Sequence, residues 1–481
     1  MKNQNQYFPS CISEGVNPLS FAGRLLPLAL CMGVPLVGMA DDRISSSNRA
    51  LDASSGAAVL GGFTQFSPFK YIPPVSNPDL LDVDSPKLNP EEQIIADEYK
   101  AANYKAVAAA GLSLMDKGTV DDRVQLMVAN SLAWTGRLAE ASTIYEYLTN
   151  GKYADTANVG LANIQRWNGR DDIAAPIYQA VLERDPGNAD ALSGLVFTRR
   201  ELNAKTVLTL GGSSDSSDEE RRFVTINHRW RGDNNTRIYE VETSKVRDEL
   251  PAIKAEQQEL TLRYHDLNVP LKPKFELSTP SGNNRTLFGS VSFSLNDDQT
   301  FLYLGRLNWG RMAINPNALT LGLTAFHVGA VAWNDFSFGR VTGRINNYRI
   351  SDKNTILTGS VNLDTLWRPL GNSIKPYLGM EFRDAQFNAP SYWSPEEGSG
   401  TAYVGLKGEW SADDWSIYSS AQVSGRLFGD AGNGWSVSAG GRRWLTSDVA
   451  MSMNLWAMAS HRDNAAYRAR SLSVNLEKLW N

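Results

Sequence analysis

The chain is poor in the side chains that carry out chemistry. Its 481 residues include 2 cysteines and 4 histidines. Cys11 and Cys31 both lie near the N-terminus, so nothing after them can form a disulfide or a thiolate metal site. His228, His265, His327 and His461 are scattered, without the spacing that holds a metal. No phosphate-cradling Gly-Lys-Ser/Thr loop and no Gly-x-Ser-x-Gly elbow occurs. Carboxylate pairs such as Asp297-Asp298 and Asp413-Asp414 fall in turn-like stretches, where solvated charge explains them. The expectation is a protein with no catalytic residues, no metal and no cofactor. An excess of positive charge is also missing. The 47 basic side chains are set against 52 acidic ones, for a net charge of −5, which excludes a nucleic-acid footprint. After the first 40 residues no apolar run reaches the roughly 18 residues of a transmembrane helix.

What is there divides along the chain. Lys2 and Arg24 precede the apolar stretch Leu25–Ala40, which ends in small residues at Gly38 and Ala40, so residues 1–40 read as an export signal. Cleavage after Ala40 would leave no cysteine. Residues 41–89, rich in Ser, Gly, Pro and Asp, read as a flexible tether. Helical periodicity covers 90–210, and 211–222 ("GGSSDSSDEERR") reads as a polar linker. Strand-like alternation fills 223–481.

The helical third repeats itself. "AWTGRLAEASTIYEYL" (Ala133–Leu148) returns as "RWNGRDDIAAPIYQAV" (Arg166–Val181) at an offset of 33 residues. Trp134 corresponds to Trp167, Gly136 to Gly169, Ala141 to Ala174 and Tyr145 to Tyr178. A period near 34 with small residues and aromatics in fixed places resembles tetratricopeptide repeats, each a helical hairpin that needs stacked neighbours to bury its apolar face. Gly136 and Gly169 are expected where two helices approach closely. Ala129, Ala141, Ala162 and Ala174 are expected where a larger side chain would separate them. A degenerate unit precedes the clear pair at 91–117, and a partial one follows at 188–205.

The strand-rich part alternates with a period of two. "YLGMEFRD" puts Leu378, Met380 and Phe382 on one face and Gly379, Glu381 and Arg383 on the other. Similar runs recur at 358–367, 415–428 and 448–458, separated by turn signals such as "SDKN" and "GDAGNG". Runs of about ten residues match the wall of a tilted transmembrane barrel. Trp309, Trp333, Trp367, Trp410, Trp415, Trp435 and Trp444 crowd the strand ends, as interfacial girdles would. The last run alternates Leu472, Val474, Leu476 and Trp480. The expected fold is therefore α + β, with N-terminal repeats followed by an antiparallel transmembrane barrel of about 16 strands. The charged stretch 245–259 reads either as a long outer loop or as a broken strand pair. The polar face that would line a pore carries Asp364, Glu381, Arg383, Lys407, Glu409, Gln422, Arg426, Arg442 and Asn454.

Signal, helical repeats and C-terminal barrel together resemble the outer-membrane exopolysaccharide export porins, which include the poly-N-acetylglucosamine exporter and the export porin of cellulose synthase complexes. The stretch around Tyr392-Trp393-Ser394-Pro395 is similar to one in the barrel of the cellulose member and in related phage-adsorption barrels. The chain departs from that family in having few repeats, and from the terminal aromatic typical of outer-membrane barrels in the extra Asn481. The resemblance implies an outer-membrane protein of a Gram-negative bacterium with its repeats in the periplasm. It further implies an exopolysaccharide as cargo, outer-membrane lipid around the barrel, and synthesis proteins of the periplasm or inner membrane as partners of the repeats. The surface lipoprotein assembly modulators combine similar parts, which leaves lipoprotein translocation, or a scaffold or phage receptor, as alternative expectations.

Overall fold

The computed structural model describes residues 87–480 except 233–234, 283–285, 296–298, 313–314, 337, 368, 370–372, 413 and 463–464. The export signal and nearly all of the tether lie outside the described residues. The first described helix, α1 (Pro90–Lys100), starts where its sequence dictates. The Asn89 side chain accepts from the Glu92 amide at 2.9 Å while the Glu92 carboxylate accepts from the Asn89 amide at 3.1 Å. α2 (Tyr104–Met115), α3 (Asp122–Trp134), α4 (Leu138–Leu148), α5 (Ala154–Trp167), α6 (Asp171–Arg184) and α7 (Ala189–Leu202) follow, each packed on the next.

The matched segments make the same contacts twice. The Tyr145 hydroxyl donates to Asn130 Oδ1 at 2.6 Å, and the Tyr178 hydroxyl donates to Asn163 Oδ1 at 2.7 Å. Ala129, Ala141, Ala162 and Ala174 have no exposed surface. Trp134 lies across Tyr99 and Tyr104, with ring centroids 5.7 and 4.6 Å away, and Trp167 packs at the edge of the same core. The glycines depart from expectation. A Cβ on Gly136 or Gly169 would meet nothing within 4 Å. Both instead have a left-handed backbone, φ 88° and 73°, and end α3 and α5. The Gly136 amide donates to Ala133 O and the Arg137 amide to Leu132 O, and Gly169 and Arg170 repeat the pattern on Arg166 and Gln165. Close approach falls to other glycines. A Cβ on Gly160 would sit 2.5 Å from the Tyr145 ring, and one on Gly194 would sit 2.4 Å from the Tyr178 ring.

Only Asn203 separates α7 from the first strand. The strands are β1 (Ala204–Asp215), β2 (Glu220–Gly232), β3 (Arg237–Leu250), β4 (Ile253–Asp266), β5 (Lys274–Gly282), β6 (Phe288–Leu295), β7 (Thr300–Asn308), β8 (Thr324–Phe336), β9 (Gly339–Ile350), β10 (Thr355–Thr365), β11 (Ile374–Ala385), β12 (Ser399–Ser411), β13 (Trp415–Gly429), β14 (Gly434–Trp444), β15 (Val449–Arg462) and β16 (Ala465–Trp480). Each is antiparallel to its neighbours, and β16 closes on β1 with Trp480 opposite Ala204. The barrel thus has 16 strands and no free edge.

Two boundaries move. The stretch expected as a linker at 211–222 is the end of β1, a turn and the start of β2, so the barrel begins at Ala204 rather than at 223. Residues 245–259 are neither a loose loop nor a broken pair, but the continuous hairpin of β3 and β4.

Alternation sorts the wall into two faces. Register places Leu378, Val404 and Val423 in one row, all exposed, with Met380, Leu406, Val437, Met453, Leu455, Leu472 and Leu476 exposed on the same outer surface. An apolar face turned outward all round a closed barrel is what lipid requires, the reverse of a soluble sandwich. At the end nearest the helices, Trp230, Tyr239, Tyr264 and Phe275 stand in register across β2 to β5, with centroid spacings of 5.6, 5.3 and 6.4 Å. This outward band matches a membrane interface. Trp309, Trp333 and Trp444, expected in such girdles, are instead buried at 0, 7 and 8% exposure.

Candidate functional site: the barrel lumen

Tyrosines pack across the inner wall, each over a glycine on a neighbouring strand. A Cβ on Gly405 would lie 2.6 Å from the Tyr377 ring, and one on Gly379 would lie 2.4 Å from the Tyr403 hydroxyl. Tyr418 covers Gly440 and Tyr303 covers Gly329 in the same way. Glycine within a strand costs about 0.5–1 kcal/mol in backbone entropy, and the ring fills the space its missing side chain leaves. The hydroxyls join a polar network. Tyr377 donates to Gln422 Oε1 at 2.8 Å and Tyr403 to Asn362 Oδ1 at 3.4 Å, while Tyr418 reaches Asn454 and Tyr303 reaches Asn346. The Asn454 amide continues to Ser473 at 3.4 Å, and the Asn475 amide donates to Ser452 at 2.9 Å. His327 stacks between Tyr303 and Tyr348, with centroids 4.8 and 4.4 Å away, so it packs the wall.

Charge on this face is mostly paired. Lys407 meets Asp364 at 2.6 Å, and Arg442 meets Glu477 at 2.7 Å while lying over Trp444. Thr401 donates to Glu381 at 3.0 Å, and the Arg383 guanidinium sits 5.4 Å from the centre of Trp393. Glu409 shares the face at the rim next to the helices, with its side chain exposed. Arg426 stands opposite Thr401 beside a bulge and is exposed at the far end. Every position expected on the polar face is thus on the inner side of the alternation, but they do not converge on one point.

The strongest clusters lie on β2 to β5. Arg263, 5% exposed, contacts Glu276 at 2.6 Å, Glu242 at 3.2 Å and also Glu240. Arg221 and Asp248 form a two-pronged pair with both contacts at 2.6 Å. Sequence reasoning did not single out these clusters or the tyrosines. Their signal was the alternation itself, with Glu240, Glu242 and Asp248 on one phase of "EVETSKVRD" and Arg263 on the facing strand.

The two ends differ. At the helix end, Glu201 of α7 accepts from Arg229 at 3.3 Å and meets Lys205 at 3.3 Å, and the Arg229 guanidinium also bonds the Glu201 carbonyl at 3.0 Å. Arg200 stacks on Trp444 at 4.2 Å. The helical segment is therefore fastened to β1, β2 and β14. At the far end, the β7–β8 connection carries α8 (Trp309–Met312) and α9 (Pro316–Thr320) and folds so that α9 touches β3 and β4. Trp309, Met312, Ala318 and Leu323 bury against Tyr348, Ile350, Ile356, Ala389 and Tyr392. Tyr392-Trp393-Ser394-Pro395 lies in the β11–β12 connection. The Tyr392 hydroxyl donates to Asp352 at 2.7 Å, and Ser394 Oγ accepts from the Ala389 amide at 2.6 Å. Asn354, 1% exposed, bonds both the carbonyl and the amide of Phe387. This segment ties an inward-folded loop to the β9–β10 turn.

Comparison with known proteins identifies no family. No family model matches the sequence, and no curated protein matches it significantly. Among solved structures, the chain is similar to a bacterial polysaccharide outer membrane secretin, with TM-score 0.48 and 11% identity over 58% of this chain and 99% of that one. It is also similar to OccK11 of Pseudomonas aeruginosa, with TM-score 0.33 and 8% identity over 58% of this chain and 96% of that one. A porin of Rhodopseudomonas blastica has TM-score 0.31 and 11% identity over 57% of this chain and 99% of that one.

Proposed function

We propose that the chain is an outer-membrane export channel for a polysaccharide, with the helix end of the barrel in the periplasm. The observation that carries this reading is the inner wall. The half-buried rings and hydroxyls of Tyr303 and Tyr418, interleaved with Asn, Gln and Ser, offer stacking faces and exchangeable hydrogen bonds to a chain of sugar rings. Because most lumen charges are paired with one another, a neutral or weakly charged polymer meets little net field. The helical segment, fastened to the mouth through Glu201 and Arg200, stands where an emerging polymer or a synthesis protein would be received. Its 33-residue recurrence supports a tetratricopeptide-like array, whose surfaces bind rather than catalyse. The inward-folded far loops correspond to a resting pore, and export requires them to move. No lumen group among the described residues suggests an energy source, so synthesis on the inner side pushes the chain.

Single-channel recording in planar bilayers tests the reading. Cello-oligosaccharides or N-acetylglucosamine oligomers added on the helix side should interrupt the current. The Y303F/Y418F variant should shorten each interruption several-fold, because the ring remains and the hydroxyl bond is lost. An open channel that no oligosaccharide interrupts would contradict the proposal.

A further inference from the structure

The outer wall has a feature that the lumen reading does not use. On its far half, register brings Ala439, Leu455, Leu472 and Gly212 into one outward row across β14, β15, β16 and β1. The next row up is Val437, Ala457, Arg470 and Ser214, and above it stand Trp435, Ala459 and Arg468. Small residues at 212, 214, 439 and 457 leave a groove of about 700 Å³ beside the larger Val437, Leu455 and Leu472. The groove is apolar over β14 to β16, is bordered on β2 by the paired Glu220 and Arg222, and has Arg470 at its upper edge, donating to the Ser214 hydroxyl at 3.0 Å.

Several outward cations on the far half are paired with carboxylates. Arg222 meets Glu220 at 3.2 Å, Lys245 meets Glu256 at 2.8 Å, and Arg247 meets Glu249. Arg468 and Arg470 make no ion pair with any described residue. They point the same way from alternate positions of β16, about 7 Å apart along the strand. They stand beside Trp435, whose amphipathic ring, 47% exposed, suits the boundary between acyl chains and headgroups. Guanidinium pairs without a carboxylate partner favour phosphate, which they can bind through two parallel hydrogen bonds each.

We infer that this wall holds an outer-leaflet lipid bearing an exposed phosphate. One acyl chain lies in the groove over Gly212, Ala439 and Ala457, and the phosphate sits between Arg468 and Arg470. The inference rests on the proposed orientation, with the helix end in the periplasm and the groove in the outer leaflet. Bound in this way, the lipid covers the seam where β16 closes on β1.

The test uses the full chain purified in detergent, with native mass spectrometry of retained lipid. Hexa-acylated lipid A carrying both phosphates is offered against the same lipid with both phosphates removed. Wild-type protein should retain the phosphorylated form about tenfold more, the discrimination expected of a charge-assisted pair of hydrogen bonds. R468Q/R470Q should retain both forms equally, while R443Q at the opposite rim should behave as wild type. Equal retention by wild type would overturn the inference even if the double variant failed to fold, and so would an undiminished preference in a folded double variant. Fractionation of cells keeps the two readings apart. Absence from the outer membrane would sink the parent reading and this one with it, whereas correct fractionation without phosphate preference would sink this one alone.

Discussion

Removing the Arg263 guanidinium would leave Glu240, Glu242 and Glu276 facing one another without their shared cation. Breaking a buried charge cluster by deleting one partner costs about 3–5 kcal/mol. R263Q should therefore lower the temperature at which the barrel loses its compact, heat-modifiable migration on a gel, while R222Q, at an exposed pair, should leave it unchanged. In the helical segment the sensitive positions are the small ones. G194V should cost about 1–3 kcal/mol, because the Tyr178 ring occupies the space a side chain would need. G136A should also destabilise, through strain at positive φ rather than contact. Thermal melts followed by helical circular dichroism separate these from barrel variants. The matched sequences marked Gly136 and Gly169 as special, but not why. A glycine at close approach and a glycine that ends a helix look the same in one sequence, and only the backbone angle distinguishes them.

At the scale of elements, α3 hangs on Asp121. Its carboxylate caps the Arg123 amide at 2.9 Å and takes two bonds from the Arg123 guanidinium, at 2.9 and 3.0 Å. The side-chain bond from Arg123 is the main cause holding the Asp121 carboxyl below its usual range. A depressed acid stabilises the fold above its unfolded pKa and loses that contribution as pH falls through the folded one. Helical content should thus fall on acidification below about pH 4, and D121N should lose less over that interval because it has no charge to titrate.

Alternation made most strands legible, and the failures have one cause. β1 and the start of β2 read as linker because the outward positions at their far ends carry Ser214, Glu220 and Arg222 rather than apolar residues. The β3–β4 hairpin was obscured in the same way by Lys245 and Arg247. A period of two without an apolar phase looks like a polar loop. Trp309 and Trp444 misled in the opposite sense. A strand-end tryptophan can face the interface or fold inward, and sequence position is the same for both.

For the whole molecule, a fastened helical segment, a polar inner wall and a far end narrowed by inward loops act together. Trp309, fully buried, is the largest side chain in that far cluster. Its removal should loosen the loops, at a cost of about 3–5 kcal/mol to their packing. W309A should therefore show more frequent or larger openings than wild type in planar bilayers, with unchanged barrel stability. Equal conductance would mean that these loops do not set the resting state.

The most direct measurement of the central claim is the distribution of polysaccharide in a strain lacking this chain, compared with the strain carrying it. Polymer should accumulate in the periplasm of the deletion and return to the cell surface on complementation, less so with Y303F/Y418F. Surface polysaccharide that is unchanged by the deletion, with nothing retained in the periplasm, would contradict an export role.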